Sequence, residues 1–140
     1  MIDKETTKYE SIIPQKISVD LANILFENRD EDGKLKVKNI RIVYNTLLEA
    51  NYEPFLIIDA SSRYLMNDEQ DYEELIKEKI VHQAPAGRKA DPFYLKLAKA
   101  FKSKFLTNDL CKEYYEEYGK VWIIENRKTF MFIDGELILE

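Results

Sequence analysis

A chain of 140 residues with 45% apolar and 12% aromatic content has the size and composition of one globular domain with a substantial core. A formal net charge of −5 excludes a uniformly basic nucleic-acid binder, and no apolar run approaches the roughly 18 residues that suggest a transmembrane helix. A single cysteine and a single histidine exclude an internal disulfide framework and a four-ligand structural zinc centre.

Residues 1–15 read as an N-terminal tail or peripheral segment, polar and irregular up to Pro14. They lack a basic region followed by an apolar run, so no signal peptide is expected. With the lone Cys111, that points to a reducing cytoplasm. The domain proper is expected over residues 16–140. Lys16–Asp20 is a short strand, and residues 28–34 form a charged loop. Apolar residues at 37, 40, 44, 47 and 48 make one stripe of a helix over Lys36–Asn51, which must pack on a sheet. Phe55–Asp59 follows Pro54 as a continuous apolar run, the pattern of a parallel strand buried on both faces.

Asp68–Lys79 is a second amphipathic helix, Ile80–Gln83 a short strand, and Ala84-Pro85-Ala86-Gly87 a loop. Asp91-Pro92 starts a third helix, with Asp as N-cap and Pro as first helical residue. Phe105–Leu106 is the next strand. Leu110–Tyr118 reads as a helix closed by Gly119, with Cys111 packed one turn into it. Val121–Arg127 is ambiguous, a helical turn anchored by Trp122. Thr129–Ile133 and Glu136–Leu139 are strands joined by Asp134-Gly135, a two-residue hairpin signal. Alternating strands and helices followed by a hairpin imply an α/β domain with a mostly parallel sheet covered on both faces.

Asp20, Asp59, Asp91 and Asp109 fall where a strand runs out or a helix begins. Each alone is explained as well by a cap or turn as by a site. Together they gather at the carboxyl ends of strands, where open α/β sheets bind ligands. Clustered carboxylates repel one another, a cost that a hard divalent cation with oxygen ligands removes. From Ala84 to Lys104, six basic residues stand against one acid, Asp91. A local patch of that kind can dock phosphates despite the acidic whole. Lys99 and Lys102 read as a solvated helix face, His82 as structural, and Tyr114, Tyr115 and Tyr118 as core or interface rather than base-stacking groups.

Several spaced motifs occur in order: Val19-Asp20-Leu21-Ala22-Asn23, Ile58-Asp59-Ala60-Ser61, Gln83-Ala84-Pro85-Ala86-Gly87, Ala90-Asp91-Pro92-Phe93-Tyr94-Leu95, Thr107-Asn108-Asp109, and Trp122, Arg127 and Phe130-Met131-Phe132-Ile133-Asp134-Gly135-Glu136. From Lys16 to Leu139 the chain resembles the NYN ribonucleases of the PIN-like superfamily, Regnase-type branch, in their prokaryotic form. The resemblance implies a Rossmann-like three-layer α/β/α PIN-like domain with a C-terminal β-hairpin. It implies Asp20, Asp91 and Asp109 as ligands of Mg²⁺ or Mn²⁺, Asn23 as the group orienting a ligand or the scissile phosphate, and Glu113 as a supporting or fourth carboxylate. Asp59 would sit at the rim of the cleft. Arg63, Arg88, Lys89 and Arg127 would contact the RNA backbone, Arg127 alternatively bracing the site.

Two positions depart from the family form: Leu21 stands where a glycine is usual, and Ala90 where eukaryotic members often carry a second acid. The expected activity is a metal-dependent endoribonuclease acting on single-stranded or looped RNA, by in-line attack of water activated by the ion. A non-catalytic RNA-binding or scaffold module is the alternative that Leu21 and Ala90 motivate. A phosphatase or DNA nuclease built on the same acids is a third reading. No membrane partner is expected, and a homodimer is left open.

Overall fold

A computed structural model describes residues 13–140, so most of the expected tail lies outside the described residues. Strand β1 (Gln15–Asp20) leads directly into a short helix α1 (Leu21–Leu25), and α2 (Val37–Glu49) returns to β2 (Tyr52–Asp59). A 3₁₀ segment (Ala60–Leu65) precedes α3 (Glu69–Lys77), followed by β3 (Val81–Ala84), α4 (Asp91–Phe101) and β4 (Lys104–Leu106). A second 3₁₀ turn (Lys112–Tyr114), α5 (Tyr115–Tyr118) and α6 (Lys120–Asn126) lead to β5 (Arg127–Lys128) and the hairpin β6 (Phe130–Ile133) and β7 (Glu136–Leu139).

Five strands form a wholly parallel sheet in the order β3-β2-β1-β4-β5, and β6-β7 is a separate antiparallel pair. Strand alternation divides the core in two. Ile17, Val19, Leu56, Ile58, Val81 and Leu106 point to one face, under α1, α2, α3 and the hairpin. Ile57 and Phe105 point to the other, against Tyr94, Leu95 and Ala98 of α4, Tyr118 of α5 and Ile123 of α6. Ser18, on the α4 face of the central strand, is fully buried, and its hydroxyl donates to the Tyr94 carbonyl at 2.7 Å. That bond ties α4 to β1, and Asp20 follows two residues later on the same face.

The expected three-layer α/β architecture is present, and so is the hairpin. Asp134 and Gly135 take φ of 54° and 77°, the left-handed pair that a type I′ turn requires. Three local expectations are corrected. The helix expected over Leu110–Tyr118 is broken, because Cys111 adopts φ 56° and the left-handed region cannot continue a helix. Cys111 therefore precedes the 3₁₀ turn instead of lying one turn into a helix. Asp91 is not the N-cap of α4: Ala90 is, and Asp91 is the first helical residue. The ambiguous segment over Val121–Arg127 is largely a true helix, α6, with Phe105 and Trp122 stacked at 5.5 Å behind it.

Leu56 lies fully buried in β2, between β1 and β3. Its truncation should show whether this sheet carries the stability of the domain. Leu56→Ala is expected to lower the unfolding free energy by about 2–5 kcal/mol, read from urea denaturation followed by Trp122 fluorescence. A change below about 1 kcal/mol would mean that the site collapses around the cavity, or that the sheet is not the cooperative core.

Candidate active site

The strand order reverses between β1 and β4, since β2 and β3 extend one way from β1 and β4 and β5 the other. This switch point opens a crevice at the carboxyl edge of a parallel sheet. Asp20 ends β1 on one side of it, and Thr107, Asn108 and Asp109 leave β4 on the other.

Asp20 is only 7% exposed, and Thr107 is fully buried beside it. The Thr107 hydroxyl donates to Asp20 Oδ2 at 2.9 Å and accepts the Asp109 backbone N–H at 3.1 Å. One buried hydroxyl thus joins the end of β1 to the loop after β4. Asn23 completes the link from α1, its Oδ1 accepting the Asn108 backbone N–H at 2.9 Å. The Asn108 side chain reaches the other way, donating to the Phe130 carbonyl and accepting the Phe130 N–H, both at 3.0 Å. Arg127 donates to the Thr107 carbonyl at 3.3 Å. The three residues Thr107-Asn108-Asp109 are therefore held from β1, α1, β5 and the hairpin at once.

Burial pushes the Asp20 carboxyl up to about 7, with Asp91 and Asp109 adding to the rise against the Thr107 hydroxyl and the Asn23 backbone N–H. Asp91 is raised as well, first by burial and then by the charges of Asp109, Glu113 and Asp59, with Lys89 opposing. Asp20, Asp91, Asp109 and Glu113 thus share one electrostatic field, although they come from β1, α4, the β4 loop and the 3₁₀ turn. Glu113 and Asp109 also line an open cavity of about 450 Å³ with Leu110 and Lys112.

Asp59 does different work. Its Oδ1 accepts the Ala90 backbone N–H at the start of α4, so it caps the helix whose first residue is Asp91. The cap read from sequence onto Asp91 is supplied from the end of β2, which leaves the Asp91 carboxylate clear of that bond.

The basic residues separate into two groups. Arg88 and Lys89 lie exposed on the turn leading into α4. Arg63 is ion-paired with Glu73 of α3, and Arg127 braces Thr107. Lys99 lies 4.7 Å from the centre of the Trp122 ring, and the Lys104 ammonium donates to the Glu125 carbonyl. Leu21, the residue in the glycine position, is fully buried in the first core cluster, and Ala90 packs in the second. Cys111 is buried, with its thiol pushed up to about 11 mainly by burial. It stays protonated at neutral pH and packs rather than attacks.

The chemistry of this donor set suits a hard divalent cation, with carboxylate oxygens from several elements and buried negative charge that a cation would relieve. Among the described residues, no three His, Cys, Asp or Glu side chains converge as they stand into a formed ligand set. Asp109 Oδ1 accepts the Cys111 backbone N–H at 2.8 Å, which leaves its other oxygen clear of that bond. Sequence reasoning gave Thr107 no role and Asn108 none beyond that of a helix cap, although both stand in the Thr-Asn-Asp motif.

A profile of the Zc3h12a-like ribonuclease NYN domain matches residues 14–138. Two solved structures of nuclear protein-only RNase P 2 from Arabidopsis thaliana share the fold. One superposes over 97% of this chain with a TM-score of 0.71, the other over 100% with 0.72, each at 21% identity. The chain spans 32% of the length of those proteins. No curated relative matches the chain.

Two predictions follow from this geometry. The Asp20 carboxyl ionises near 7 in the fold against 3.8 unfolded. The folded state therefore binds this proton more tightly, and the contribution of Asp20 to stability is most favourable below pH 4, falls between pH 4 and 7, and levels off above. At on the order of 1 kcal/mol per pH unit, a buried Asp20 carboxylate costs the fold a few kcal/mol. In chelator at pH 8, Asp20→Asn should therefore melt higher than wild type, the gap closing as pH falls to 4. A gap independent of pH would contradict the buried charge. Asp59→Ala should cost about 1 kcal/mol through loss of the α4 cap, while Asp59→Asn, which keeps an acceptor, should cost less in the same melts.

Proposed function

The chain belongs to the Zc3h12a-like ribonuclease NYN family, and from that premise we propose that it is a divalent-metal-dependent endoribonuclease acting on single-stranded or looped RNA. The observation that carries this reading is the buried Asp20 carboxylate at the β1/β4 switch point, facing the charges of Asp91 and Asp109. Such a group is costly in a fold without a function for its charge.

In this reading Asp20, Asp91 and Asp109 hold Mg²⁺ or Mn²⁺, and Glu113 adds negative charge at the open side. When bound, the ion neutralises charge on the scissile phosphate and acidifies water for in-line attack. The rest is done by the chain. Thr107 fixes the Asp20 oxygen that it donates to and sets the backbone from which Asp109 projects. Asn23 holds that same loop through Asn108, a positioning role in place of direct contact with the phosphate. Asp59 sets the start of α4 and with it the height of Asp91. Arg88 and Lys89, exposed beside Asp91, draw the phosphate backbone toward the acids. Arg63 is ion-paired with Glu73 and braces the scaffold, while Arg127 braces the Thr107 carbonyl with one of its donors and keeps its charge for the RNA backbone. Leu21 is packed in the core, so it does not obstruct the approach to Asp20; Ala90 leaves the site one acid short of the eukaryotic form, and the non-catalytic alternative rests on that.

Cleavage of a fluorescent single-stranded RNA with Mn²⁺ or Mg²⁺ tests the reading. EDTA should abolish cleavage, and Asp20→Asn or Asp109→Asn should lower its rate by at least about 100-fold while the variants remain folded. Full activity of the folded double variant would refute these roles. Chelator-insensitive RNA binding without cleavage would establish the binding module instead.

A further inference from the structure

On the α4 side of the sheet lies a groove that the acid site does not use. Phe55 and Ile57 on β2, His82 and Pro85 at the end of β3, and Phe93 and Leu97 on α4 line a cavity of about 360 Å³. Strand alternation makes it aromatic: Phe55, Ile57 and His82 turn toward α4, while Leu56, Ile58 and Val81 turn to the opposite core. The Phe55 and His82 rings lie 6.1 Å apart, and Phe101 supports Phe55 from below at 5.0 Å. Among the described residues, no strand pairs with the outer side of β3.

The groove adjoins the acids. Phe93 stands two residues after Asp91 in the first turn of α4. Ala84, at the end of β3, pairs in register with Asp59, whose carboxylate holds Ala90. Positive charge lies near the groove: Arg88 and Lys89 are exposed on the turn between the lining residues Pro85 and Phe93, and the Lys96 ammonium is 5.8 Å from the centre of the Phe93 ring. Aromatic faces beside cations that track a backbone are the recipe for holding single-stranded nucleic acid. A volume near the lower end of small-molecule pockets, roughly 300–1,000 Å³, suits one base and excludes a duplex. Burial and Lys79 lower the His82 pKa, which favours the neutral imidazole, able both to stack and to exchange a hydrogen bond with a base edge.

We propose that this groove is a nucleobase subsite, taking one unstacked base of a single-stranded RNA next to the scissile phosphate, with Arg88, Lys89 and Lys96 on the adjoining phosphates. The proposal rests on the ribonuclease reading and adds to it the requirement that the substrate offer a splayed base beside the cleaved bond.

The test uses the full chain in EDTA, so that binding is measured without cleavage, by anisotropy of short labelled single-stranded RNAs in which one abasic position is walked along the strand. Wild type should lose roughly tenfold in affinity at one position, the magnitude of one lost base–aromatic stack. Phe93→Leu, which keeps the apolar packing but removes the ring, should bind the intact strand as weakly as wild type binds that abasic strand, and should lose nothing further there. Phe93→Tyr should behave as wild type. Wild type that binds no RNA, or no base position that Phe93→Leu makes indifferent, overturns the subsite. So does a groove that serves a second copy of the chain: wild type would then elute as a dimer and Phe93→Leu as a monomer, with equal RNA affinity. Cleavage of the intact strand with Mn²⁺ is scored in parallel. Cleavage without a base-dependent position sinks the groove alone, and a base-dependent position without cleavage sinks the nuclease reading alone.

Discussion

A single buried hydroxyl organises this site. Thr107 stands at the end of β4, fully enclosed; its hydroxyl gives its proton to Asp20, with Asn23 Oδ1 as a longer alternative acceptor at 3.4 Å, and receives the N–H of Asp109. Both bonds are satisfied only when β1 and β4 end at the same height, which the parallel register of Val19 opposite Leu106 provides. The first acid is therefore positioned by the central strand, and the third by the hydroxyl that touches the first. A short polar side chain in the core would ordinarily be a cost; here it converts strand register into the spacing of two carboxylates.

The remaining acids depend on the same logic at one remove. Asp91 is placed by α4, and α4 is fixed at two points: Ser18 of β1 on the Tyr94 carbonyl and Asp59 of β2 on the Ala90 N–H. Each of these anchors is a polar side chain on the α4 face of a central strand. Capping from Asp59 also differs chemically from capping by Asp91 itself. A self-capping Asp91 would spend its oxygens on the backbone N–H groups of its own helix, and its charge would be partly neutralised there. With the cap supplied from outside, the Asp91 carboxyl stays clear of that bond, and burial together with the charges of Asp109 and Glu113 raises its pKa, so its charged form is the disfavoured one until an opposite charge arrives.

Much of this was legible in the residues because it rests on periodicity. The apolar run Phe55–Ile58, the helical stripe from Val37 and the Asp134-Gly135 turn all write their structure locally, and the alternation of elements gives the parallel sheet. What was hidden depends on partners distant in sequence. Asp91-Pro92 is a good local cap signal, and only the thirty-odd residues back to Asp59 reveal that another carboxylate takes the role. Leu110–Tyr118 has helical spacing, but the Asp109 carboxylate turns onto the Cys111 N–H and Cys111 goes left-handed, so the helix starts late. β5 has two residues and no pattern to read. Arg63 and Arg127 have the charge of phosphate ligands, and only the folded chain shows that Arg63 is paired with Glu73 and that Arg127 donates to the Thr107 carbonyl. The four acids were readable as a set, but their order of burial was not, and it is burial that separates Asp20 from the others.

The separation bears on how the site is prepared for a cation. Asp20 is locked by Thr107 and cannot move far without breaking a buried bond. Asp109 is held by a single bond to a backbone N–H beside an open cavity, and it can turn at the cost of that bond alone. Asp109 raises the pKa of both Asp20 and Asp91, and an opposite charge among the three reverses the sign of that interaction. One fixed acid, one acid set by a capped helix and one acid on a loop form a gradient of rigidity across the crevice. Strand β1, at the centre of the sheet, carries the group whose burial is hardest to explain by stability alone.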